Sequence, residues 1–195
     1  MSKFPIDPPE VLELFEAIAS LLPDAEGFDG VFIRSVATKY ANKNDFCSGN
    51  GAAENGGRWN RRGISAIYAS LDLITTTHEA YQNFNTFGFP MTKIEPRVMA
   101  GATANFDKVL ELTDAKVQTK IGFTSKELVD EDWETIQASG EESWTQAIGR
   151  GCLSAGFEAI LVPSARNAKG KNIVIFTANL KGGGIRILAP DKLPR

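Results

Sequence analysis

The chain is poor in the residues that most enzymes use for metal or nucleophilic chemistry. It has one histidine and two cysteines in 195 residues. Cys47 and Cys152 lie far apart without metal-ligand spacing, so a zinc site of the usual composition cannot be assembled. A Ser–His or Cys–His nucleophile would have to use His78. Apolar runs fall short of the roughly 18 residues that a membrane-spanning helix needs. The first residues, Met1-Ser2-Lys3-Phe4-Pro5, lack a secretory hydrophobic region. Basic excess is also missing: the formal charge is −3, which argues against direct nucleic-acid binding by phosphate neutralisation. The expected chain is cytoplasmic, with reduced thiols and no membrane contact.

What is present suits one globular domain. Hydrophobic residues make up 43% and charged residues 23%, enough to bury a core. Val11, Leu12, Leu14, Phe15, Ile18, Leu21 and Leu22 recur at helical spacing after Pro8 and Pro9, and Pro23 and Gly27 end that helix. Residues 31–36 and 64–69 have the pattern of strands, with a long polar loop over 42–60 between them. A helix is expected over 71–87, its apolar face formed by Leu73, Ala80, Tyr81 and Phe84, then extended runs over 92–104 and 108–112. Pro96 suggests an edge or a bulge. Two helices should open on capping boxes, Thr124 with Glu127 and Ser139 with Glu142. The second of these should run through Trp144 and Ile148 to Gly156. Three short β-rich runs follow at 159–162, 173–177 and 185–188. This order predicts one α+β domain with a largely β core and flanking helices.

The most distinctive stretch is Gly56-Gly57-Arg58-Trp59-Asn60, preceded by Gly49-Asn50-Gly51-Ala52-Ala53. Glycine permits sharp turns and close approach, arginine offers a fork of donors suited to phosphate, and tryptophan a flat face. Together they suit an anionic, planar ligand such as a nucleotide. The loop is neither a Walker A sequence nor a GxGxxG sequence between strand and helix. Arg34 lies within an apolar strand, where it must face solvent or find a partner: it is either on a solvated edge or in a ligand cleft. Glu79 falls opposite the apolar face of its helix, as a solvated residue would, unless the long loop roofs that face and turns it toward the cleft of Arg58. Ser164 and Asn172 stand beside strand ends, as turn residues or as hydrogen-bonding partners of an amide ligand.

Taken in order, these pieces resemble the RES domain family, named for Arg, Glu and Ser. The matching segments are Phe32-Ile33-Arg34, the glycine-rich stretch through Asn60, Ile67-Tyr68-Ala69-Ser70, His78-Glu79, Thr145-Gln146, and Val162-Pro163-Ser164-Ala165-Arg166 leading to Asn172 and 173–176. The resemblance implies a fold similar to ADP-ribosyltransferases, with residues 1–30 an N-terminal helical extension and 31–195 the NAD-binding domain. It implies a bacterial toxin that degrades NAD, with NAD as substrate and no cofactor or metal, paired with an Xre-type antitoxin. Arg34, Glu79 and Ser164 would be its catalytic residues, and Arg58, Trp59, Tyr68 and Asn172 would contact substrate. Ser35 follows Arg34 where several toxin members carry an aromatic residue.

The chemistry expected on that basis is cleavage of the nicotinamide–ribose bond by hydrolysis or phosphorolysis. Nicotinamide departs from a cationic nitrogen, so acid catalysis matters less than in ordinary sugar hydrolysis. An oxocarbenium-like transition state would be stabilised by one carboxylate, Glu79. Arg34 and Arg58 would clamp the diphosphate. Tyr68 would stack on nicotinamide or ribose. A protein acceptor would instead make the chain an ADP-ribosyltransferase, and a scaffold without activity would make it a nucleotide-binding or interaction protein.

Overall fold

A computed structural model of the chain describes residues 7–86, 96–182 and 184–194. Residues 92–95 of the first expected extended run, the Phe87 end of the expected helix, Gly183 and the Phe84 side chain lie outside what is described.

Five strands close into a small barrel. In chain order they are β1 (Glu26–Ala37), β2 (Ala66–Ser70), β3 (Arg97–Glu111), β4 (Ala159–Pro163) and β5 (Lys171–Phe176). Hydrogen bonding runs β1-β2-β5-β4-β3, and β3 returns to β1 along an antiparallel register from Ala37↔Arg97 to Glu26↔Val109. A sixth strand, β6 (Ile185–Ile187), adds to β3. The β3–β4 pair is parallel and the other pairs are antiparallel.

Alternation along each strand explains the closure. Phe32 of β1, Ile67 and Ala69 of β2, Ala102, Ala104 and Phe106 of β3, Ala159 and Leu161 of β4, and Ile173 and Ile175 of β5 pack into one buried cluster. This is the barrel interior, and its alanines suit the narrow space that few strands enclose. The alternate residues Ala66, Ile160, Val162, Val174 and Phe176 face outward into a second core. That core is roofed by Leu14 and Ile18 of α1 (Pro9–Ala19) and by Ala147, Ile148 and Cys152 of α8 (Trp144–Ala155). Strands buried on both faces read as apolar runs rather than alternating ones, which is why β4 and β5 are conspicuous in the sequence. A third cluster joins Val36 and Ala41 to Phe46.

The helix expected at the start of the chain is α1. It belongs to the same body as the barrel: Arg150 of α8 bonds Asp7 and Glu142 and lies over the Phe15 ring, 4.6 Å from its centroid. The first strand is longer than the expected 31–36, since it starts at Glu26. The expected loop over 42–60 contains two short helices, α2 (Lys43–Phe46) and α3 (Asn50–Asn55). The fourth helix, α4 (Leu73–Thr86), falls where expected, whereas the two expected extended runs join in the single strand β3.

Four helices, not two, lie between β3 and β4: α5 (Ala115–Ile121), α6 (Ser125–Asp130), α7 (Trp133–Ala138) and α8. The Thr124–Glu127 capping box opens α6 as expected. The box expected at Ser139 and Glu142 is displaced by four residues, because Ser143 and Gln146 cap α8. Ser139 instead ends α7, and Glu142 bonds Arg150.

Candidate functional site

β1 and β2 touch at one register pair, Ile33 with Ser70. Beyond it the strands separate, and a cavity of 590 Å³ opens beside a smaller one of 150 Å³. The larger volume falls within the range that holds small-molecule ligands. It is bordered by Arg34, Arg58, Trp59, Tyr68, Glu79 and Asn172. Ser164, which is 5% exposed, reaches the site through Glu79.

Glu79 projects from α4 and joins two residues from the opposite wall. Ser164 Oγ donates to Glu79 Oε1 at 2.5 Å, and Asn172 Nδ2 donates to the same oxygen at 2.7 Å. Each donor is fixed in turn. Ser164 Oγ accepts the backbone N–H groups of Arg166 and Asn167 at 3.1 and 3.0 Å, which orients its own proton toward Glu79. Asn172 Oδ1 accepts from Ser70 Oγ at 2.7 Å, which sets the amide so that its nitrogen faces the carboxylate. Residues from α4, β5 and the turn after β4 thereby hold one carboxylate at the cavity wall. His78, the neighbour of Glu79, is exposed and lies 3.3 Å from the Arg166 carbonyl through Nδ1.

Arg34 is not on a solvated edge. It shares a strand face with Phe32 and Val36, donates to the Phe46 carbonyl, and lies over the Phe46 ring. Burial lowers its pKa from the usual arginine value, and the positive charge of Arg97 lowers it further. Cys47 stands near it, half-buried, with its thiol pushed up by burial, which disfavours the reactive thiolate.

The glycine-rich stretch is a tight turn closed on itself. Gly57 N–H donates to the Asn60 carbonyl at 2.8 Å and Asn60 N–H returns to Gly57 at 3.3 Å. A Cβ at Gly57 would lie 2.6 Å from the Tyr68 hydroxyl, so only glycine fits there. Asn60 is wholly buried, and its Nδ2 serves the carbonyls of Ala52, Arg61 and Ile64. Its Oδ1 accepts from Tyr68 at 2.7 Å, while the Tyr68 hydroxyl accepts the Trp59 N–H at 2.9 Å. Burial raises the Tyr68 pKa well above the ordinary phenol value. Gln146 of α8 adds a bond to the Gly57 carbonyl at 3.1 Å.

Two residues of this turn also serve the scaffold. Trp59 borders the cavity, but at 3% exposure most of its indole packs in the outer core instead of offering an open face. Arg58 also borders the cavity, yet its Nη1 donates to the Leu128 and Glu131 carbonyls at 3.1 and 2.9 Å, where α6 ends. It therefore stabilises a helix C-terminus as well as presenting charge. Burial lowers its pKa, the Glu131 carboxylate raises it, and Arg166 lowers it.

Arg97 and Arg166 also border the cavity, and no motif in the sequence marks either as a site residue. Asn60 and Gln146 lie within the matching segments, but it is the structure that places them as the residues holding the turn. Buried side-chain amides facing backbone carbonyls leave no periodic signal. Among the described residues, no group of three or more His, Cys, Asp and Glu side chains could hold a metal ion, and no helix is long and apolar enough to cross a membrane.

A small closed barrel whose splayed strands expose one oriented carboxylate among several arginines defines the class: an α+β domain with a polar, cationic cleft. The RES domain model matches residues 31–192, and the chain belongs to the RES domain family. No curated protein matches it by sequence. Among solved structures, the fold is similar to a chain from the crystal structure of the M. tuberculosis MbcT–MbcA toxin–antitoxin complex. The TM-score is 0.68 at 20% identity, over 92% of this chain and 93% of the other.

Proposed function

We propose that this protein is a RES-type toxin that consumes NAD by cleaving the nicotinamide–ribose bond. The observation that carries this reading is the placement of Glu79, held by Ser164 and Asn172, on the wall of a cavity that Arg34 and Arg58 also border. Cationic groups around one carboxylate suit a substrate that is a diphosphate at its centre and a developing cation at its reacting carbon.

In this reaction the C1–N bond breaks and nicotinamide leaves with the bonding electron pair. The Glu79 carboxylate stabilises the oxocarbenium-like ribose and holds its 2′-hydroxyl. The two bonds to Oε1 keep the carboxylate from rotating, so little reorganisation accompanies the charge. Arg34 and Arg58 hold the diphosphate, and Tyr68 lines the wall. Water adds at C1 and loses a proton, giving ADP-ribose; phosphate in its place gives the 1″-phosphate. The family membership and the fold shared with a chain of a toxin–antitoxin complex support an antitoxin partner, and an Xre-type protein that covers the cleft fits the reading. NAD is an intracellular pool, so the site of action is the cytoplasm.

The test is to incubate the purified protein with NAD and measure free nicotinamide, with the second product identified by mass. Nicotinamide release with ADP-ribose or its 1″-phosphate is the expected result. Label transferred from NAD to protein would make it an ADP-ribosyltransferase, and no release would leave a nucleotide-binding or interaction protein.

A further inference from the structure

Arg97 opens β3 beside the cleft and borders both cavities, as do Tyr68, Glu79 and Asn172. Its backbone is in register with Ala37, so its side chain lies on the same strand face as Ser35, one diagonal step along β1. There Nε donates to Ser35 Oγ at 2.8 Å and Nη2 to the Ser35 carbonyl at 2.9 Å. Both acceptors are neutral. Arg150 shows how this fold treats a structural arginine: it is neutralised by two carboxylates, Asp7 and Glu142. No described carboxylate forms an ion pair with Arg97 or Arg34, although the positive charge of one is felt at the other. Both guanidiniums border the larger cavity and, among the described residues, have only neutral hydrogen-bond partners, an arrangement that favours an anion there. The Ser35 bonds occupy one edge of the Arg97 fork, and no described residue accepts from Nη1.

We propose that Arg97 is an anion-binding residue of the cleft, acting with Arg34 on the phosphate nearest the reacting ribose, and that Ser35 is its positioning residue. The ligand class is a diphosphate ester. The assignment rests on the NAD reading for the identity of that ester, but the phosphate contact itself does not require it. Because Arg97 shares the junction of the two cavities with Glu79, the phosphate it holds fixes the ribose relative to the carboxylate.

The experiment is calorimetric titration of the full chain with inorganic pyrophosphate, ADP-ribose and nicotinamide riboside. The variants are Arg97→Gln, Arg97→Lys, Ser35→Ala and the double variant R97Q/S35A, each checked by thermal melting. Arg97→Gln should weaken pyrophosphate and ADP-ribose by about 10- to 30-fold, the scale of a charge-assisted hydrogen bond. Nicotinamide riboside, which lacks phosphate, should bind unchanged. Arg97→Lys should recover part of the loss. Ser35→Ala should weaken the phosphate ligands by about 3-fold, a neutral hydrogen bond's worth, and add nothing to Arg97→Gln. A folded Arg97→Gln protein that binds pyrophosphate and ADP-ribose like the parent overturns the assignment. Should the parent bind pyrophosphate through Arg97 yet neither bind nor cleave NAD, the proposed function falls and the anion site stands. A parent that binds neither removes both.

Discussion

The turn at Gly57–Asn60 and the cluster around Glu79 face the same cleft, but they use their polar groups in opposite ways. In the turn, nearly every donor and acceptor is spent on the chain itself: Asn60 serves three carbonyls and a phenol, Gln146 ties the turn to α8, and Arg58 caps α6. In the cluster, donors from the paired ends of β4 and β5 converge on one oxygen of one carboxylate that borders open volume. The first arrangement specifies a shape. The second orients a charged group for something outside the protein. A glycine-rich stretch with Arg and Trp looks like the ligand site in sequence, yet much of it is scaffold.

This contrast predicts that substitutions in the cluster separate activity from stability, whereas those in the turn do not. The largest effect belongs to Glu79→Gln. NAD turnover should fall by at least about 100-fold, as for loss of a transition-state electrostatic contact, with the melting temperature nearly unchanged. Asn60→Ala should follow, costing about 2–4 kcal/mol in urea unfolding, because several buried partners lose their hydrogen bonds together. Ser164→Ala should lower turnover by about 10-fold through a less fixed Glu79, with a smaller cost in stability. Arg58→Ala should straddle the contrast, weakening ADP-ribose binding and costing about 1 kcal/mol of stability through the lost helix cap.

Tyr68→Phe should be the mildest, at about 1 kcal/mol, but with a pH signature. The folded-state pKa of Tyr68 is raised by burial. Its contribution is therefore complete below the unfolded pKa, near 10, and is lost as pH rises beyond it, because the unfolded chain ionises while the folded one does not. Unfolding measured between about pH 8 and 11 should show this decline; the phenylalanine variant should lack Tyr68's share of it.

Much of the frame was legible in the sequence. Helix α1, the approximate positions of β1, β2, β4 and β5, and Thr124 as the cap of α6 all follow from period, burial and capping chemistry. Three features were not legible. Strand β3 crosses from one barrel wall to the next, and its Asn105, Asp107 and Lys108 interrupt the apolar pattern where the register with β1 shifts. Helices α5 and α7, with 7 and 6 residues, are too short to show a period. The segment 139–146 satisfies the capping-box pattern twice, and the box that forms is the one whose helix buries Ala147, Ile148 and Cys152.

In the site, Arg34, Glu79, Ser164 and Asn172 were legible through their order along the chain, and they do converge. Arg97 was not, because its importance comes from cross-strand register with β1, which only the closed barrel creates. The burial of Trp59 was not legible either, because an indole in a loop sequence gives no sign that α8 will pack over it; a Cβ at Gly149 of α8 would lie 1.8 Å from the Trp59 carbonyl oxygen.

The most direct test of the division between scaffold and chemistry is a structure of the Glu79→Gln protein with NAD bound. The account predicts the diphosphate among Arg34, Arg58 and Arg97, the nicotinamide ribose within hydrogen-bond reach of residue 79, and the Gly57–Asn60 turn with its internal bonds intact. NAD bound outside this cavity, or with its ribose out of reach of residue 79, would contradict it.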